Sequence, residues 1–159
     1  MKLIFKSNII LLLLSFSSFL SVAQINTDRV MNIGRNALYF EDYILSMQYF
    51  NQVIKVKPYM AEPYFYRGVA KLSLDFKGAE EDCTLCIERN PFIVNAYQVR
   101  GIARQNLGDY QGAIDDYTEG LRYAPEDRSF LNNKAIAEVQ LKKYDEAEKS
   151  FDKLIALHP

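Results

Sequence analysis

The chain has 159 residues, 49% of them apolar, with 19 Lys and Arg against 20 Asp and Glu and a single histidine. That length fits one domain with a core of its own, and a near-neutral charge with no basic stripe excludes a protein that holds nucleic acid by neutralising phosphates. Two cysteines are too few for a disulfide scaffold.

Residues 1–23 stand apart from the rest. "MKLIFKSN" carries Lys2 and Lys6, "IILLLLSFSSFL" is an apolar run, and "SVAQ" supplies small residues at Ser21 and Ala23. A charged start, a short apolar stretch and small residues before a break predict a secretory signal peptide cleaved after Ala23. The run from Ile9 to Val22 is shorter than the about 20 apolar residues that a membrane span needs, and no cysteine follows the break to take a lipid. The expectation is an exported protein, periplasmic, envelope-associated or extracellular, with no integral membrane segment after cleavage. Its mature part, 24–159, keeps 17 basic and 20 acidic side chains.

Everything after the signal obeys one period. Pro58, Pro91, Pro125 and Pro159 are spaced 33, 34 and 34 residues apart. Tyr43, Phe76, Tyr110 and Tyr144 keep that spacing, as do Ser46, Ala79, Ala113 and Ala147, and Phe50, Cys83, Tyr117 and Phe151. Gly34, Gly68, Gly101 and Ala135 follow it with spacings of 34, 33 and 34. Agreement of five registers over four copies marks a repeat array, with units at 27–60, 61–93, 94–127 and 128–159. The unit 27–60 is the most divergent, with Ser46 where the later units have alanine and Ala37 in place of a later tyrosine. The unit 61–93 is one residue short near "LSLDF", which predicts a tighter turn between its helices. In 94–127, "VNAYQVRGIARQNL" has helical periodicity, "GD" at Gly108 and Asp109 interrupts it, and "YQGAIDDYTEGLRYA" resumes it before Pro125. Small residues such as Gly101 and Ala113 fall where two helices must approach, with Tyr97, Tyr110 and Tyr117 beside them. The unit 128–159 repeats the pattern through Leu131, Ala135, Ala147, Phe151 and Pro159.

These residues resemble the tetratricopeptide repeat, whose 34-residue pattern runs W-x-x-L-G-x-x-Y, A-x-x-x-F and a closing proline. Tyr97, Gly101, Ala113, Tyr117 and Pro125 carry the match in the third unit. The leucine before the glycine is replaced by Ile33, Arg67, Arg100 and Lys134. The resemblance implies an all-α fold, a right-handed superhelical solenoid of four helix-turn-helix units, with first helices lining a concave groove.

The "EDCTLCIERNP" stretch holds both cysteines, spaced C-x-x-C. Their registers, shared with Phe50, Tyr117 and Phe151 and with Val53, Gly120 and Leu154, are packing positions, so core burial is expected. A disulfide is the alternative, although i, i+3 neighbours on a helix sit about 5–6 Å apart at Cβ where a disulfide wants about 3.5–4.5 Å. A zinc site needs about four ligands, and His158 is the only histidine. No metal, cofactor or catalytic residue is expected, and the acidic runs "EED" (80–82) and "IDDY" (114–117) read as solvated faces. Arg67, Arg100 and Lys134 read as pairing with neighbouring acids or snorkelling rather than as a basic ladder.

What the resemblance implies for function is a surface for protein or peptide binding. Carried over by register, its groove positions include Met31, Arg35 and Tyr39 in the first unit, with Phe65 and Val69 in the second. Gln98, Ile102 and Gln105 follow in the third, with Asn132 and Ile136 in the fourth. Apolar contacts at one end and amides at the other suit an extended protein segment. Met31, Asn95 and Gln98 stand where the family's carboxylate-binding members carry cations, so recognition of a C-terminal carboxylate of that kind is not expected. The last helix would leave Leu154, Leu157 and Ile136 at an uncovered C-terminal edge. That edge points to a chain cut from a longer envelope protein, of which the repeats form a structural N-terminal arm, or to self-association or a partner helix there.

Overall fold

The computed structural model describes residues 26–157; the expected signal segment, His158 and Pro159 lie outside them. The described residues form eight helices and no strand: α1 Thr27–Tyr39, α2 Tyr43–Val56, α3 Glu62–Lys71, α4 Phe76–Arg89, α5 Asn95–Asn106, α6 Tyr110–Tyr123, α7 Arg128–Gln140 and α8 Tyr144–Ala156. Each helix packs on the next in the chain, so four hairpins stack in order. First helices also touch first helices, α1 on α3, α3 on α5 and α5 on α7, whereas among the described residues no second helix brings its backbone as close to the next one. A stack closer on one side than the other must curve. The first helices therefore make the inner wall of a helical-repeat superhelix.

The turns follow from local chemistry. Asp42, Asp75 and Asp109 start α2, α4 and α6 by accepting hydrogen bonds from the backbone N–H groups of Leu45, Gly78 and Gly112, which satisfies donors that a helix start leaves open. In three hairpins the residue before the second-helix cap is left-handed: Glu41 at φ 61°, Gly108 at φ 84° and Lys142 at φ 58°. There the cap N–H reaches back five residues, Asp42 to Ala37, Asp109 to Arg104 and Lys143 to Glu138, the long bond of a Schellman closure. In the short second unit Asp75 N–H reaches only Lys71, and Leu74 in the same register has no left-handed backbone. The missing residue is thus the left-handed step, and the turn is tighter as its length predicts. Lys142 bears a Cβ where Gly108 has none, so Lys142→Gly should raise stability by about 0.5–1 kcal/mol, read as a higher urea midpoint with an unchanged slope.

The core is continuous along the stack. Phe50 and Val53 fill the first hairpin with Met31, Tyr64 and Cys86 bridge the second to Ala96, and Tyr117 and Phe130 join the third to the fourth. Small residues let these rings in. A Cβ on Gly101 would overlap the Tyr117 ring within one hairpin, and a Cβ on Gly120 would overlap Phe130 of the next. Cys83 and Cys86 are free thiols, both fully buried, as their registers require. Burial, the Cys86 thiol and the Asp82 carboxylate all push the Cys83 thiol up, and burial with Glu62 raises Cys86 to about 12. Neither is a thiolate near neutral pH, so they behave as small apolar side chains.

Candidate functional site: the inner wall and the charges behind it

Behind the inner wall runs a series of buried ion pairs. Arg67 on α3 donates from Nε and Nη2 to both oxygens of Asp82, at 2.8 and 2.5 Å, and Lys71 adds a third contact at 2.9 Å. One unit later Arg100 grips Asp116 through Nε and Nη2, and Arg104 Nη1 joins at 3.0 Å. Asp82 and Asp116 are each only 2% exposed. The "EED" and "IDDY" runs are therefore not uniformly solvated: Glu81 and Asp115 face water, but the last acid of the first run and Asp116 of the second are core groups. A carboxylate taken out of water must be paired, and the first helix supplies the partner. For Asp116 burial outweighs its two arginines and raises its carboxyl above the ordinary aspartate range.

The outer units solve the same position differently. In the fourth, Ser150 takes the Asp116 register and Glu138 on α7 supplies the acid, accepting from Lys134 at 2.5 Å and from Ser150 Oγ at 2.8 Å. In the first, Ile33 and Tyr49 hold the two registers, so both charges are absent together. Arg67, Arg100 and Lys134 are thus paired rather than presented as a basic ladder. Several of these side chains also cross between units: Arg67 reaches Asn51, Arg100 reaches Thr84 and Arg104 reaches Glu80.

With those cations engaged, the inner wall presents mostly neutral side chains. Phe65, Val69, Gln98, Ile102 and Asn132 are half-buried on successive first helices, and Ile136 is exposed. Among the described residues no hydrogen bond occupies the Gln98 or Asn132 amide. Gln105 is different, because its Oε1 accepts from the hydroxyl of buried Tyr117 at 3.1 Å; it braces the hairpin. Met31 is 7% exposed, packed with Phe50 and Val53, and what remains of its surface lines the cavity at the α1 end of the wall. Arg35 is exposed, its guanidinium 5.6 Å from the Tyr66 ring centroid. Tyr39, 81% exposed, stands at the end of α1 edge-on to Phe40. Tyr66 and Asn32, neither of them at a position carried over by register, also face this end of the wall. Tyr66 has a signal in the sequence: it lies three residues before the groove position Val69, on the same helix face.

Antiparallel helix pairs in register, with an inner wall of first helices, define a helical-repeat solenoid. The family model for the tetratricopeptide repeat matches residues 99–159. The heat shock protein sti1 homolog of Schizosaccharomyces pombe is 30% identical over 100 residues, which is 62% of this chain and 17% of that protein. The TPR repeat-containing protein MJ1428 of Methanocaldococcus jannaschii is 25% identical over 138 residues, 84% of this chain and 24% of that one. The chain therefore spans less than a quarter of the length of either relative. Among solved structures, a crystal structure of MamA superposes with a TM-score of 0.81 at 19% identity, covering 89% of this chain and 84% of that one. The Arabidopsis OM64 TPR domain superposes at 0.68 with 26% identity, covering 70% of this chain and 93% of that domain. Residues 99–159 thus match the tetratricopeptide repeat directly, and the two units before them repeat the same helix pair.

Proposed function

We propose that this chain is an exported, non-catalytic scaffold that holds a protein or peptide segment along its inner wall. The observation that carries the reading is the row of half-buried apolar and amide side chains on α3, α5 and α7, from Phe65 and Val69 through Gln98 and Ile102 to Asn132. Apolar side chains there gain from contact with a partner, and free amides can donate to and accept from an extended backbone. The family supports it, and the names of relatives such as the Hsp70-Hsp90 organizing protein 3 of Arabidopsis thaliana, 25% identical over 93 residues, describe proteins that organise other proteins. Export rests on residues 1–23 alone, and N-terminal sequencing of the secreted chain should begin at Gln24.

The test is capture from an envelope extract by the native chain and by Phe65→Ala with Gln98→Ala, matched for helicity. The expected result is a partner retained by the first and lost, by about tenfold or more in affinity, by the second. Equal capture by both would end the groove reading. A second reading, a structural arm that makes its contact through α8, draws on Ile155. It is 67% exposed, while Ile54, Ile87 and Leu121 in the same register pack against the following unit. Ile155→Glu, not the groove variant, would then abolish capture.

A further inference from the structure

At the α1 end of the inner wall lies a cavity of about 270 Å³ between α1 and α3. Its apolar side is Met31 and Met60, its wall is the Tyr66 ring with Asn32, and its rim carries Asp28, Arg35 and Glu62. A cavity below the roughly 300–1,000 Å³ of small-molecule sites suits one side chain of a larger ligand. We infer that it receives a lysine or arginine side chain of the segment bound along the wall, an inference that rests on the groove reading above.

The charge distribution carries the argument. Beyond Glu62, the groove positions on α3, α5 and α7, from Phe65 through Gln98 to Ile136, are neutral; Arg67, Lys71, Arg100, Arg104 and Lys134 are turned to Asp82, Asp116, Glu80 and Glu138, and exposed Arg128 opens α7 at the far end of the stack. Ionised groove side chains therefore meet a ligand at this cavity. Two are acids, and neither Asp28 nor Glu62 joins an ion pair among the described residues. The one base, Arg35, is drawn aside: its Nη2 donates to Asn32 Oδ1 and its guanidinium lies toward the Tyr66 ring. A cation entering between the carboxylates would extend its methylenes along Met31 and Met60 and set its head against the rim, as long basic side chains do. An acidic side chain would meet one guanidinium against two carboxylates.

The experiment is a selection from a random linear peptide library displayed on phage, run on the purified chain, on Asp28→Asn with Glu62→Gln, and on Phe65→Ala with Gln98→Ala. The native chain should retain peptides with Lys or Arg at one fixed position. A synthetic copy of the leading peptide should lose about tenfold in affinity on the Asp28→Asn, Glu62→Gln variant. It should lose the same factor on the native chain when that lysine is replaced by norleucine, and nothing further when both changes are combined. Retained peptides with no basic preference, or with Asp or Glu at the fixed position, overturn this inference; if they still depend on Phe65 and Gln98, the groove reading stands. Peptides indifferent to both variants overturn the two together.

Discussion

Asp116→Ala is expected to destabilise the fold by about 3–5 kcal/mol, the cost of removing one partner from a buried pair and stranding the other. Arg100 and Arg104 both point their guanidinium groups at that carboxylate, and neither is free to swing into water without breaking its link to Thr84 or Glu80 of the preceding unit. A loss of that size is a large share of a domain's stability of about 5–15 kcal/mol, so the urea midpoint should fall by about a fifth or more. The pair is nonetheless not the only stable solution at its register, as the first unit shows with Ile33 and Tyr49. Copying that solution into the second unit gives a sharper test. Arg67→Ile and Asp82→Tyr should each cost about 2–4 kcal/mol alone, and together should cost about 2 kcal/mol less than their sum. Lys71, 22% exposed, can follow its charge to solvent. Additive losses would mean that the charges contribute through their separate packing and not as a pair.

How much of this was readable in advance depends on the distance over which each interaction acts. The helices, the hairpin order and the burial of Cys83 and Cys86 follow from periodicity, because a residue's face on a helix is fixed by its place in the period. The tight second turn follows from counting residues, although its cause, the loss of the left-handed step, shows only in the backbone. The buried acids were misread because a carboxylate in an acidic run is usually wet. What reverses that prior is a guanidinium 15 or 16 residues away on the partner helix. A signal for it existed: arginine and aspartate recur together at their two registers in the second and third units and vanish together in the first. Met31 marks the opposite limit. Its register faces the groove, and its flexible unbranched side chain both fills the space beside Phe50 and Val53 and lines the cavity at the α1 end, a division of contacts that register alone does not show.

Gly120→Val is expected to uncouple the last hairpin from the third. Gly120 lies on α6 where the fully buried Phe130 ring of α7 crosses it, and any Cβ there overlaps that ring. Overpacking of this kind costs about 1–3 kcal/mol, and the gain in helix propensity on leaving glycine, a few tenths of a kcal/mol for valine, offsets little of it. In a stacked array each unit depends on its own fold and on its neighbours' interfaces, so the loss falls on α7 and α8 rather than on the whole chain. Urea unfolding should split into two phases, with hydrogen exchange rising first in α7 and α8 while α1 to α5 keep their protection. Phe130→Leu, which shrinks the ring that clashes, should restore a single transition at lower overall stability. A single cooperative shift in Gly120→Val would instead show that the four hairpins unfold as one unit. The inner wall would then be a rigid surface, and any partner bound at Phe65 and Gln98 would sense a change at the far end of the stack.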